Sequence, residues 1–214
     1  MSAVEPFRRL VALACPLPLS GVDTDQLIPA RFMSRTRAEG YGDCLLHDLR
    51  FDVDGHPRPD FPLNDPARAG SRVLVARRNF GAGSSREAAV YALVDYGIRC
   101  VAAPSFGDIF AANAVNNGLL PVRLEDDDAE RLLSRLGAGL LEVAVDLDAC
   151  EVAAAGEVVR FAVDPVWRTK LLHGWDDLDL TLSHGPVIRA FAGADAARRP
   201  WSLPGAGGQE TGQR

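Results

Sequence analysis

The sequence predicts an α/β fold with a parallel βαβαβ core and an added β-hairpin. Apolar β-branched runs alternate with helix-like segments between residues 72 and 136, the pattern of parallel strands joined by crossover helices. Beyond residue 140 the pattern changes to two apolar runs, residues 140–147 and 158–163, which we expect to pair as a hairpin around Ala155 and Gly156. The 214 residues, 47% of them hydrophobic, suffice for one domain with a buried core.

The predicted βαβαβ core begins with a buried strand over residues 72–76. A tight turn follows over residues 79–87, in which Ser84 and Glu87 form the Ser-x-x-Glu pattern of a capping box at a helix start. That helix is expected to end at Gly97. The remaining predicted core elements are a strand over 98–103, a helix from Ser105 and Asp108 to Gly118, a strand over 119–124 and a helix over 126–136.

The flanking segments are less regular. The first seventy residues contain eight prolines, and long irregular stretches in a small domain are often functional loops. After the hairpin, Asp164 and Pro165 predict a helix start, residues 181–182 a last short strand, and residues 186–192 a C-terminal helix. We expect residues 1–204 to form a single domain and the Gly- and Gln-rich residues 205–214 to be disordered.

Composition argues against several classes of protein. A net charge of −6 and scattered arginines argue against nucleic-acid binding, which draws on clustered positive charge. No segment approaches the roughly 20 apolar residues of a membrane span, and no signal peptide is recognisable, so a cytoplasmic protein is expected. The four cysteines are 29 or more residues apart, so no metal site is predicted on this chain.

The turn over residues 81–86 is the best candidate for a ligand site. Glycines allow close approach of the backbone, and a helix N-terminus offers unpaired N–H groups and partial positive charge. Ser84, Ser85 and Arg86 add hydroxyl and guanidinium donors at the same place, which favours a carboxylate or phosphate ligand. The alternative is purely structural, with Ser84 as a helix cap and Arg86 on the surface. Walker and Rossmann motifs are both absent.

Four ordered motifs resemble the small subunits of 3-isopropylmalate dehydratase, the swivel domain of the aconitase superfamily. They are residues 22–29 (VDTDQLIP), 79–87 (NFGAGSSRE), 104–110 (PSFGDIF) and 116–122 (NNGLLPV). The resemblance implies a swivelling β/β/α domain that forms a heterodimer with a large subunit. It also implies that no cofactor is bound by this chain and that a [4Fe–4S] cluster lies on the large subunit. The implied reaction interconverts 2-isopropylmalate and 3-isopropylmalate in leucine synthesis.

The resemblance also assigns roles to residues. Ser84 matches the catalytic base on the carbon-bound proton, while Ser85 and Arg86, with Gly83 beside them, match the groups that hold a carboxylate of a small dicarboxylic acid. Asp25 matches a position near the active site. Residues 27–37 fall where relatives sort substrates by side chain, and Arg31 is taken as the substrate contact there, with Arg35 and Arg37 as open alternatives.

Two positions depart from the family pattern. Ala82 stands where relatives often carry Cys, and Ala88 where many carry His. Ala82 keeps its backbone N–H, so anion binding should survive, whereas the effect of Ala88 on substrate choice is open. Related hydro-lyases acting on citramalate or homoaconitate are therefore an alternative, and a non-catalytic anion-binding module is an alternative of another class.

Overall fold

A seven-stranded mixed sheet in the order β4-β3-β2-β1-β5-β6-β7 organises the chain up to residue 160. The computed structural model describes residues 4–139 and 142–202. The strands are β1 (Arg9–Leu17), β2 (Val73–Ala76), β3 (Cys100–Ala103), β4 (Leu120–Arg123), β5 (Glu142–Asp146), β6 (Glu151–Ala154) and β7 (Glu157–Arg160). The helices are α1 (Thr24–Leu27), α2 (His47–Arg50), α3 (Glu87–Tyr96), α4 (Asp108–Asn116), α5 (Asp126–Gly137), α6 (Pro165–His173), α7 (Asp177–Ser183) and α8 (Gly185–Arg198). Short 3-10 segments lie at Ala30–Ser34, Arg37–Glu39, Gly42–Cys44, Pro62–Asn64, Pro66–Arg68 and Pro200–Ser202.

Strand β1 divides the sheet into a parallel half and an antiparallel half. On one side it runs parallel to β2, with Ala14 opposite Val73, and β3 and β4 continue that parallel order. On the other side it runs antiparallel to β5, with Val11 opposite Ala144. The α/β fold with a parallel βαβαβ core, formed by β2, α3, β3, α4 and β4, is thereby confirmed.

Two hydrophobic clusters cover the two faces of the parallel half. Successive strand residues point to opposite faces, so Leu74 packs in the cluster that contains α3 while Val75 packs in the cluster that contains α5. Leu93 of α3 and Leu136 of α5 are fully buried anchors of these layers. Each side chain of this size contributes roughly 1.5–3 kcal/mol on burial, which fixes the strand ends from which the functional loops leave.

The added β-hairpin is confirmed, with its turn at Ala155 and Gly156, but its first strand was wrongly assigned. Residues 140–147 were expected to pair with residues 158–163, but β6 lies between β5 and β7 and pairs antiparallel with both. The tight turn at Ala155 and Gly156 therefore joins β6 to β7, with φ angles of 48° and 83°. The residues before this turn are rich in alanine, which has low strand propensity, and so the sequence concealed a short strand there.

Two further sequence interpretations were wrong. Residues 181–182, expected in a strand, belong to helix α7, whose first turn carries Asp177 and Asp179, carboxylates that favour a helix N-terminus. Strand β1 was missed because its proline-containing segment read as irregular. Pro16 lies at the penultimate position of that strand, where its missing N–H affects only the end of the ladder.

The described residues divide into two compact units, with the boundary after Asp176. The first unit contains the sheet and helices α1 to α6, and the second contains α7 and α8, in which no side chain is buried. The predicted domain boundary at residue 204 stays a prediction, and the tail predicted over residues 205–214 lies outside the described residues. None of the helices within the described ranges combines the length and apolarity needed to cross a bilayer.

Candidate functional site

The candidate loop leaves the carboxyl end of β2 and enters helix α3. Ligands of open α/β sheets bind outside the carboxyl ends of the parallel strands, which is where this loop lies. Gly81 and Gly83 adopt φ angles of 72° and 99°, values that disfavour residues with a Cβ. These two glycines turn the chain sharply. The turn leaves the backbone of the residues that lead into α3 accessible to a ligand.

A second segment, residues 22–25, which leads into α1, is joined to this loop by backbone hydrogen bonds. The N–H of Gly81 donates to the carbonyl of Val22 at 2.7 Å, and the N–H of Thr24 donates to the carbonyl of Ala82 at 2.9 Å. Asp23 caps α1 by accepting from the N–H of Gln26 at 2.7 Å, and so fixes where α1 begins. Two motifs far apart in sequence thus form one continuous surface.

The base of the site is packed too tightly for any side chain at Gly81. A Cβ there would lie 2.2 Å from the ring of Phe110, and one at Gly107 would lie 2.6 Å from the carbonyl oxygen of Gly81. Phe110 in turn packs edge-on against Phe80, with ring centroids 5.4 Å apart. This rigid aromatic floor holds the loop in place from beneath.

The structure brings five predicted site residues together here: Gly83, Ser84, Ser85, Arg86 and Asp25. Gly83, Ser84 and Ser85 are exposed. The guanidinium of Arg86 is half-buried, and its Nη1 donates to the carboxylate of Asp25. An exposed pair of hydroxyls next to a fixed cation and a helix N-terminus can bind and polarise an anionic ligand.

The capping-box prediction for Ser84 and Glu87 was wrong. Helix α3 begins at Glu87, and its N-cap is Arg86, with no side-chain cap hydrogen bond. The Glu87 carboxylate instead accepts a hydrogen bond from the Nδ2 of Asn117 at 2.9 Å. The structural alternative that assigned Ser84 to the cap is therefore removed, and its hydroxyl lies on the surface of the loop. Ser105, placed at the start of a helix by the sequence, lies before α4, whose N-cap is Gly107, and its hydroxyl accepts from the N–H of Asn79 at 2.8 Å.

The three arginines of the expected substrate-sorting segment each contact a carboxylate of this chain. Arg31 binds Asp48, with one N–H···O distance of 2.8 Å, and its hydrogen bond lowers the pKa of the Asp48 carboxyl to about 2. The other two pairs are Arg35 with Asp43, at 2.9 Å, and Arg37 with Asp95. Arg31 as a direct substrate contact stays a prediction.

The two departures from the family pattern occupy different environments. The carbonyl of Ala82 accepts the bond from Thr24, so its methyl group replaces a side chain without loss of this backbone link. Ala88, in the first turn of α3, is partly buried against the core cluster. Sequence reasoning missed Thr24, whose buried side chain lies against this loop, although its motif had been singled out.

The described residues do not bring cysteines together as iron–sulfur ligands. Within residues 4–139 and 142–202, the one grouping with metal-ligand spacing is Asp52, Asp54 and His56, all exposed. Such a cluster needs cysteine thiolates, whereas Cys15, Cys44 and Cys100 are buried separately and Cys150 is half-buried. The donor set of this chain therefore does not fit a [4Fe–4S] cluster.

Known proteins resemble this chain over much of its length. The aconitase C-terminal domain family matches residues 4–127. The small subunit of 3-isopropylmalate dehydratase from Rhodospirillum centenum is 45% identical over 94% of this chain and 100% of its own length. That from Sinorhizobium medicae is 42% identical over 93% and 100%, respectively.

A solved structure is also similar to this chain. The crystal structure of 3-isopropylmalate dehydratase from Methanocaldococcus jannaschii is 26% identical, with a TM-score of 0.62, and the match covers 86% of this chain and 99% of that one. The likeness in sequence extends over nearly the whole length of the curated relatives, and the fold is shared. The chain belongs to the family of 3-isopropylmalate dehydratase small subunits, built on the aconitase C-terminal domain.

Proposed function

We propose that this chain is the substrate-gripping small subunit of a hydro-lyase that interconverts 2-isopropylmalate and 3-isopropylmalate in leucine biosynthesis. The observation that carries the proposal is the contact of Arg86 with Asp25 beside the exposed Ser84 and Ser85, just before α3 begins. The names of the relatives supply the substrate. A cytoplasmic location suits a biosynthetic enzyme of this kind.

The reaction removes a proton from one carbon and hydroxide from its neighbour. It then adds water back with the hydrogen and the hydroxyl on exchanged carbons. In the proposed mechanism, the Ser84 alkoxide accepts the carbon-bound proton as the carbon–carbon double bond forms and hydroxide leaves the neighbouring carbon. When hydroxide then adds to the carbon that lost the proton, the Ser84 hydroxyl gives its proton to the carbon that lost the hydroxide, and the alkoxide is restored. Arg86 holds a substrate carboxylate through parallel N–H bonds, and Ser85 and the backbone at Gly83 add donors.

Ser84 cannot be activated by this chain alone. A partly buried helix end contributes up to about 2 kcal/mol, and one pKa unit corresponds to about 1.4 kcal/mol. The field at the N-terminus of α3 is therefore too weak by itself to ionise the Ser84 hydroxyl. Arg86 and exclusion of water by a partner must supply more.

We therefore propose a heterodimer with a large subunit that carries a [4Fe–4S] cluster. When bound, such a cluster supplies Lewis acidity at the departing hydroxyl. The role of this chain is to orient the dicarboxylate and to hold the proton at Ser84. The isolated chain is expected to have no turnover.

The test is an anaerobic purification of the tagged chain from its own cells, followed by an assay for dehydration of 2-isopropylmalate. Turnover that depends on an iron-containing second subunit supports the proposal. Turnover confined to citramalate or homoaconitate would reassign the substrate, and turnover by the isolated metal-free chain would refute the division of labour. If the purified chain brings no iron-containing partner and shows no turnover on any of these substrates, a non-catalytic module is favoured.

A further inference from the structure

The hydroxyl of Thr24 is buried against the loop that carries Ser84. The residue is 1% exposed, and within the described parts of the chain its Oγ1 is a buried side-chain polar atom without a hydrogen-bond partner. Buried hydroxyls are nearly always paired, because an unpaired one has lost its hydrogen bonds to water without replacement. Its location beside the candidate site therefore points to a partner acquired in another state of that site.

Gly83 lies next to this hydroxyl. A Cβ built on Gly83 would lie 3.4 Å from the Thr24 Oγ1 and 3.6 Å from the Cβ of Asp23. The hydroxyl thus faces the backbone of Gly83 with no side chain between them. The rest of Thr24 is already held against the loop, because its N–H donates to the carbonyl of Ala82 at 2.9 Å.

Only the middle of the loop is left to adjust. It is tied at Ala82 by Thr24 and at Arg86 by Asp25. The exposed residues between these ties begin with Gly83, whose φ is 99°. Glycine permits the peptide that follows it to rotate at low cost. The Gly83–Ser84 peptide is therefore the unit best placed to change orientation near Thr24.

We propose that Thr24 is a positioning residue for Ser84, and that its Oγ1–H donates to the carbonyl oxygen of Gly83 when a dicarboxylate is bound. This inference rests on the proposed function. The peptide is trans, so its C=O and N–H point in opposite directions. A carbonyl held inward by Thr24 turns the N–H of Ser84 outward to the bound anion and fixes the backbone from which the Ser84 hydroxyl extends.

The test compares Thr24→Val, which keeps the shape and removes the hydroxyl, with Thr24→Ser, which keeps the hydroxyl. Both are measured in the complex with the large subunit. We expect Thr24→Val to lower kcat by about tenfold or more through the displaced Ser84 hydroxyl, and to raise KM by a smaller factor because the Ser84 N–H also holds the bound anion. The midpoint of unfolding should be unchanged or higher, because an unpaired hydroxyl has been replaced by a methyl group. Thr24→Ser should recover most of kcat.

A second measurement does not depend on turnover. Amide hydrogen exchange at residues 83–85 is followed with and without 2-isopropylmalate, in the wild-type complex and in Thr24→Val. Extra protection with ligand in the wild type alone supports the inference. Equal exchange in both proteins, or a Thr24→Val complex with the wild-type kcat, would overturn it. A wild-type complex that turns over no malate-type substrate would contradict the proposed function, while the exchange result still decides the role of Thr24.

Discussion

The guanidinium of Arg86 contacts the carboxylate of Asp25 across 61 residues of sequence. The contact joins the start of α3 to the first turn of α1, and the two side chains are 21% and 56% exposed. At this exposure an ion pair adds no more than about 1 kcal/mol to stability. Its main consequence is to fix the direction of the guanidinium, which has five N–H donors and here uses Nη1 on Asp25.

Arg86→Lys should raise KM for the dicarboxylate by about tenfold or more. Lysine keeps the charge but lacks the planar fork that can grip a carboxylate while contacting Asp25. The measurement is steady-state kinetics on the reconstituted complex. Arg8→Lys is the control, since Arg8 pairs with Asp148 on the exposed surface. An Arg86→Lys complex with unchanged KM would show that this guanidinium does not hold the substrate.

Ser84→Ala should lower kcat by about 100-fold or more, because proton transfer by a positioned group contributes at least that factor. The free energy of unfolding should change by less than about 0.5 kcal/mol, because the side chain is exposed and does not cap α3. Ser85→Ala is the matched variant, and it should affect KM more than kcat. Circular dichroism and complex formation must match the wild type; a Ser84→Ala complex with normal turnover would remove Ser84 from the mechanism.

Gly81→Ala should destabilise the chain more than Gly55→Ala, although both glycines have positive φ, 72° and 82°. Both substitutions incur the left-handed backbone penalty of about 1–2 kcal/mol. Only at Gly81 would the new Cβ meet a ring, that of Phe110, whereas nothing lies within 4 Å at Gly55. Overpacking of this kind adds about 1–3 kcal/mol. Denaturant unfolding of the two variants gives the difference, and equal values would argue against a rigid aromatic floor.

Three of the four thiols should resist labelling in the folded protein. Burial raises the pKa of Cys15 to about 12 and of Cys44 to about 11, and it raises the pKa of Cys100 as well. Thiolate is the reactive form, so a thiol reagent at pH 8 should modify the half-buried Cys150 first. The others should react only after unfolding, and Cys150→Ser should abolish the fast phase.

The same thiols make stability fall in alkaline solution. The pKa of Cys15 is 9.0 when unperturbed and higher in the folded chain, so above pH 9 the unfolded state loses protons that the folded state retains. The stabilisation is complete below pH 9 and is lost as the pH rises toward about 12. Cys15→Ala should show a smaller decrease between pH 8 and 10.5 than the wild type, measured by denaturant midpoints. Equal decreases in the two proteins would mean that groups other than Cys15 cause the loss of stability in alkaline solution.

The parallel core could be predicted because its signals are local. β-Branched strands and glycines at the helix ends mark each element, and Gly97 and Gly118 adopt the left-handed φ angles, 109° and 72°, that such ends require. Strand β6 could not be found in this way, since its residues have weak strand propensity and pair only because β5 and β7 lie on either side.

The sequence identified which residues form the site but not the contacts among them. The motifs identified the loop residues and Asp25, whereas the beginning of α3 was misjudged. The local pattern of Ser84 and Glu87 favoured a cap, but a tertiary contact holds Arg86 at the cap position. The burial of Thr24 likewise depends on a neighbour distant in sequence, Gly83, and leaves no periodic signal.

The central place of β1 has a consequence for synthesis on the ribosome. Its parallel neighbour β2 is complete at Ala76, but its antiparallel neighbour β5 begins only at Glu142. At about 5–20 residues per second, the nascent chain must wait several seconds with one edge of β1 unpaired. An uncovered strand edge is a template for association with other chains. Nascent or truncated chains that end before β5 should therefore be the ones that require a chaperone.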